Sequence, residues 1–123
     1  MPIGRLHHVI LDCPDPSALA AFYGRLLGTP VTYDDGDFAV VSLDDRTSGL
    51  AFQRSPDQRP ATWPDPTVPQ QIHLDVMVDD LDAAHAGVLA LGATALGGEH
   101  VYADPAGHPF CLIPKPHWAP PVG

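Results

Sequence analysis

The sequence predicts an α+β fold of two βαβββ modules, whose eight strands form one curved sheet with the helices outside and a central cleft inside. Three observations predict it. Leu6-His7-His8-Val9-Ile10-Leu11-Asp12 opens one half of the chain, and Ile72-His73-Leu74-Asp75-Val76-Met77-Val78 opens the other. Each opening leads into a helix-like run that closes on the same dipeptide, Leu27-Gly28 and Leu91-Gly92. The half-ends also correspond, Ala51-Phe52-Gln53-Arg54-Ser55-Pro56 with Pro109-Phe110-Cys111-Leu112-Ile113-Pro114. Internal repetition fixes an architecture before any single element does. Here it sets His8 beside His73 and Gln53 beside Cys111.

The elements follow in order. Residues 6–12 read as a strand that Pro14 and Pro16 end. Residues 17–27 read as a helix with Ser17 as N-cap; Leu19, Phe22, Tyr23, Leu26 and Leu27 fall at helical spacing and Gly28 stops it. Residues 31–34 and 37–43 form strands around Asp34-Asp35-Gly36-Asp37, a strong hairpin signal, and Leu50 to Gln53 is a fourth strand. Pro56, Pro60, Pro64, Pro66 and Pro69 mark a semi-rigid connector suited to a crossover. The second copy has a strand at 71–78, a helix at 80–91 and short strands at 93–96 and 100–103. A type I turn at Asp104-Pro105-Ala106-Gly107 leads to a last strand from Phe110 to Ile113. One domain, 1–123, therefore comprises a first module 5–54, a connector 55–70, a second module 71–114 and a tail 115–123.

Composition narrows the function. The chain has 123 residues, one domain's worth. Its 15 acids against 6 bases give a formal charge of −9. That excludes nucleic acid, whose binders need cationic patches, and anionic membrane surfaces. Two cysteines make no disulfide framework, no apolar run approaches a membrane span, and no secretory leader is expected before the first strand. The expected location is the cytoplasm.

Alternation along the strands sorts the side chains. Leu74, Val76 and Val78 lie under the helix, with His73, Asp75 and Met77 opposite. Val9 and Leu11 take the helix side in the first copy, placing His8, Ile10 and Asp12 opposite and His7 toward the helix layer. If the modules share one sheet, both His8 and His73 face a common cleft.

These residues resemble the vicinal-oxygen-chelate superfamily, the glyoxalase/bleomycin-resistance/extradiol-dioxygenase fold. The paired modules, the histidine on an opening strand, Asp104-Pro105-Ala106-Gly107 before the last strand and the Leu-Gly helix ends carry the resemblance over residues 5–114. Trp63-Pro64, Pro69-Gln70-Gln71-Ile72-His73-Leu74-Asp75 and Asp104-Pro105-Ala106-Gly107-His108-Pro109-Phe110-Cys111 are similar to a glyoxalase-like branch frequent in actinobacteria. The resemblance implies four metal-ligand positions, His8, Gln53, His73 and Cys111, and a divalent zinc, nickel, manganese or iron ion as cofactor. The histidines match the pattern. Glyoxalases carry Glu in the other two places, where a carboxylate moves the substrate proton. An amide cannot be that base, whereas a thiolate can ligate zinc.

Each residue also has a plainer reading. His8 and His73 can line a cleft without metal. Cys111 can be a small buried hydrophobe, and Gln53 a hydrogen-bonding wall. Asp75, which could orient an imidazole or a cationic ligand, can equally be a solvated acid at the cleft mouth. Trp63 reads as core cover or a dimer contact first and as cleft lining second, Tyr102 reads as a cleft-lining aromatic, and His108 reads as surface. Asp34, Asp35 and Asp37 are turn chemistry rather than a calcium loop. Three functions stay open: a protein that binds a small molecule in the cleft, a divergent metal-dependent lyase or isomerase using His8 and His73, and a non-catalytic structural or regulatory domain. A homodimer is expected, because pairing across a two-fold covers sheet edges.

Overall fold

A computed structural model describes all residues, Met1–Gly123. The α+β fold and its paired βαβββ modules are present, in two compact units, Met1–Gln58 and Arg59–Gly123. The first runs β1 (His8–Cys13), α1 (Pro16–Leu27), β2 (Val31–Asp34), β3 (Phe38–Val41), β4 (Gly49–Arg54). The second runs β5 (Leu74–Val78), α2 (Leu81–Leu91), β6 (Thr94–Gly97), β7 (Val101–Ala103), β8 (Pro109–Pro114). The eight strands hydrogen-bond as two four-stranded sheets, ordered β1-β4-β3-β2 and β5-β8-β7-β6, rather than as one ladder. In each, the first strand pairs in parallel with the last, so every module completes its own sheet.

The caps correct one expectation. Asp15, not Ser17, is the N-cap of α1: its carboxylate accepts the Ala18 N–H, and Pro16 occupies the first turn, where no N–H is needed. Ser17 instead donates its hydroxyl proton to Asp34 at 2.9 Å. Asp80 caps α2 in the same way through Ala83. Gly28 and Gly92 end the helices with φ of 68° and 111°, a conformation that favours glycine. No helix is long and apolar enough to cross a membrane.

The two faces of each sheet divide as the alternation predicts. Under α1 lie Leu11, Cys13, Ala39, Val41 and Phe52, all buried, with Tyr23 stacked on Phe52 at 5.5 Å. In the second unit Tyr102, Phe110 and Leu112 are buried, and the Tyr102 and Phe110 rings stack at 5.6 Å. Burial of these large side chains is the main force holding each layer together.

Register corrects the repeat. His8 is the partner of Gly49 and Asp12 the partner of Gln53, whereas Leu74 is the partner of Phe110 and Asp75 the partner of Cys111. Counted from the histidine along the ladder, the counterpart of Cys111 is Ala51 rather than Gln53. The likeness of Phe52-Gln53 to Phe110-Cys111 aligned two positions that the ladders offset by two residues.

Candidate functional site

In the first unit, a cavity of about 550 Å³ opens on the sheet face opposite α1. Its apolar walls come from Phe38, Val40 and Tyr33, and its polar lining includes His8, Asp35 and Asp44. Phe38 and Val40 reach it because alternate residues of β3 face away from the helix. The hairpin turn fixes the acid. Asp35 accepts the backbone N–H of Asp37 at 3.0 Å and of Phe38 at 2.8 Å, and the Tyr33 hydroxyl at 3.0 Å. The Phe38 amide first, then the Tyr33 hydroxyl, hold its carboxyl below the ordinary range. Asp44 is likewise lowered, by the Arg46 amide first and then by Thr47. Both stay ionised at neutral pH.

His8 is set by its neighbour across the ladder. The Gly49 N–H donates to His8 Nδ1 at 3.0 Å. In the neutral ring the proton therefore sits on Nε2. Burial first, and the adjacent His7 second, push the His8 pKa below its ordinary value, so at neutral pH the ring is an uncharged N–H donor. Only glycine allows this arrangement: a Cβ at residue 49 would lie 2.1 Å from the Val41 carbonyl oxygen. His7 is exposed and lines the same cavity, its ring centroid 3.9 Å from that of His8. It precedes β1, so strand alternation does not turn it toward the helix as expected.

Gln53 does not join His8. It is exposed and lies opposite Asp12, four residues along β1 from the histidine, or about 13 Å at the rise of a strand. Position 53 therefore offers His8 no second ligand.

The second unit gathers its site residues more closely. His73, Asp75 and Cys111 place their potential ligand atoms within 4.8 Å of one another. Register explains it: Asp75 and Cys111 are direct partners in β5 and β8, and His73 stands two residues before Asp75 on the same face. His73 Nε2 lies 3.5 Å from Asp75 Oδ1, both side chains about half exposed. Burial first, then the Asp75 charge, push the Cys111 thiol up.

Tyr102 lies elsewhere. Its alternation matches Phe110, so it faces the helix, is 1% exposed and bonds His85 Nδ1 at 2.7 Å. It lines a separate cavity of about 230 Å³ with His85 and His100, not the face that carries Cys111. Trp63 is half-buried and covers Gly98, where a Cβ would meet its ring at 3.2 Å.

Sequence reasoning missed one polar centre. Asp104 is buried, and its carboxylate accepts the backbone N–H of Ala106 and of His108 and pairs with His108 Nδ1 at 2.8 Å. The histidine expected on the surface is instead half-buried against this acid. The signal was the Asp-Pro-x-Gly-His spacing, which puts an acid at the turn's start and an imidazole four residues on.

Residues 8–113 match the family model described as "Glyoxalase-like domain". No match is found among curated protein sequences. Among solved structures, the chain is similar to a glyoxalase/bleomycin resistance protein from Albidiferax ferrireducens, at 16% identity and TM-score 0.63, covering 90% of this chain and 98% of that one. A glyoxalase/bleomycin resistance protein/dioxygenase family enzyme from Burkholderia phytofirmans matches at 17% identity and TM-score 0.67, covering 89% and 97%. A glyoxalase/dioxygenase from Nostoc punctiforme matches at 21% identity and TM-score 0.62, covering 92% of each. Identities this low speak for the fold alone.

Proposed function

This chain belongs to the glyoxalase-like domain family, and we propose that it binds a small molecule against the face of its first sheet that carries His8. The observation behind this reading is the 550 Å³ cavity itself, within the usual range of about 300–1,000 Å³ for small-molecule sites. Its lining combines aromatic and aliphatic walls with the imidazoles of His7 and His8, the latter carrying its proton on Nε2. Such a set of walls suits an apolar body with a hydrogen-bond acceptor. The ionised Asp35 and Asp44, joined by Asp45, favour a positive charge at its end.

The other reading, a divergent lyase or isomerase with its ion on His8 and His73, finds less support. The residues do not fit the family's four-ligand metal chemistry. His8 gives its Nδ1 lone pair to the Gly49 amide, while a ligating histidine normally donates that ring N–H outward. Gln53 can neither serve as the shuttling base nor stand beside His8.

Thermal denaturation with a panel of aryl and alkyl amines and their corresponding alcohols tests the binding reading. A ligand at 100 times its Kd stabilises by about 2.7 kcal/mol. Amines are expected to raise the melting temperature more than the alcohols do. The gain should vanish in Phe38→Ala and shrink in Asp45→Asn. Equal gains in wild type and Phe38→Ala would remove the cavity from the account. Equal gains with amines and alcohols would remove the acidic lining from it.

A further inference from the structure

The donors that the first unit lacks are together in the second. Imidazole, carboxylate and thiol converge there from two paired strands, with every ligand-atom separation at or below 4.8 Å. A tetrahedral zinc ion with bonds of about 2.0–2.3 Å holds its ligands roughly 3.3–3.8 Å apart. The His73–Asp75 separation of 3.5 Å already matches one edge of such a tetrahedron. The longest gap must close by about 1 Å, a movement that side chains as exposed as His73 and Asp75 make by small torsional adjustment.

We propose that His73, Asp75 and Cys111 form a metal site of their own within the second unit, for a borderline-soft divalent ion such as zinc, and that neither His8 nor Gln53 belongs to it. The donor chemistry selects the ion. A thiolate and an imidazole favour zinc over magnesium or calcium, which prefer all-oxygen shells. The carboxylate and thiolate together neutralise a dication. Three protein ligands leave the fourth position of a tetrahedron open to water or an incoming group, the arrangement of reactive rather than structural zinc. Binding forms a sulfur–metal bond and releases the Cys111 thiol proton to solvent. The site differs from the pattern the family implies in containing Asp75 and in lying within one module. It stands apart from the cavity reading and holds or fails without it.

Cobalt(II) titration of the full chain, followed by absorption spectroscopy, tests it. Cobalt in a tetrahedral thiolate site absorbs through a sulfur-to-metal charge-transfer band and intense ligand-field bands. The other thiol, Cys13, is fully buried and points at the Gln53 carbonyl, so the band reports Cys111. Wild type should give the bands at one equivalent and lose them to zinc. Cys111→Ser should abolish the charge-transfer band, and His73→Ala and Asp75→Asn should each weaken binding about tenfold or more, the equivalent of about 1.4 kcal/mol. His8→Ala and Gln53→Ala should bind within about threefold of wild type, under 1 kcal/mol. Absence of the bands in wild type overturns the proposal. So does an Asp75→Asn variant that binds as wild type does, or a His8→Ala variant weakened as much as His73→Ala, which would return the ion to the four-position pattern. Circular dichroism on each variant separates lost binding from lost fold, and Asp75→Asn, at an exposed position, is the variant least able to unfold the chain.

Discussion

Gly49→Ala should damage the first unit at one defined point. The new methyl would sit 2.1 Å from the Val41 carbonyl oxygen and 2.9 Å from Ser42 Cβ, where ordinary contacts begin near 3.4 Å. Backbone, not a flexible side-chain end, blocks it, so β3 and β4 must separate by more than an ångström at this end of the ladder. Overpacking of this kind costs about 1–3 kcal/mol, and the strained hydrogen bond from the residue 49 amide to His8 adds about 1 kcal/mol. A total of about 2–4 kcal/mol corresponds to roughly 8–15 °C in melting temperature for a chain of this size. Calorimetry measures the loss, and histidine NMR measures its second consequence, a change in the His8 tautomer when the Gly49 amide moves away. Gly87→Ala is the matched control. It lies inside α2 with nothing within 4 Å of an added Cβ, so it should stabilise by roughly 0.5–1 kcal/mol. A Gly49→Ala protein that melts within two degrees of wild type, with His8 resonances unchanged, would refute the packing argument and the orientation of His8 with it.

Other outcomes are open to measurement. Asp104→Ala strips partners from two amides and an imidazole at the turn before β8, and should cost about 3 kcal/mol in urea denaturation. His8 titrates below its unfolded value because of burial and His7; the unfolded chain therefore takes the proton first. The stability His8 contributes is full above about pH 6.5 and is lost as pH falls through its folded pKa. The margin of wild type over His8→Gln should accordingly shrink from pH 7.5 to pH 5, and a constant margin would count against the shift. Val31 and Tyr33 are 45% and 53% exposed on the edge strand β2, a surface that a homodimer would cover. Sedimentation equilibrium should then give twice 13.1 kDa, and a monomer at micromolar concentration would end that expectation.

The modules were legible because both periodicities were clean. Leu11 and Phe52 announced one face of the first sheet, and Leu74 and Val76 one face of the second. What could not be read was register. Nothing in Ala51-Phe52-Gln53 says which residue of β1 it will meet; that depends on where β4 begins, and Gly49 fixes this through a contact that only three dimensions reveal. The strand faces led to the expectation that His8, Gln53, His73, Asp75 and Cys111 converge on one cavity; which of the five meet is again a matter of register, which pairs Asp75 with Cys111 and sets Gln53 opposite Asp12. Tyr102 was misjudged because an aromatic near a cleft attracts attention whichever way its strand turns it. His108 was misjudged because a polar residue after a turn looks solvated until its acid is found buried beside it.

The offset between the two ladders has a bearing on how such proteins change. A slide of one residue would turn a strand inside out and destroy the core. A slide of two keeps every apolar side chain on its own face of the sheet, yet carries a reactive group about 6–7 Å along the surface. Between duplicated halves, that is the smallest rearrangement selection could tolerate that still relocates chemistry. Here it leaves alanine in one copy where the other holds a thiol. Ancestral halves could thus have parted company in function without any intermediate that failed to fold.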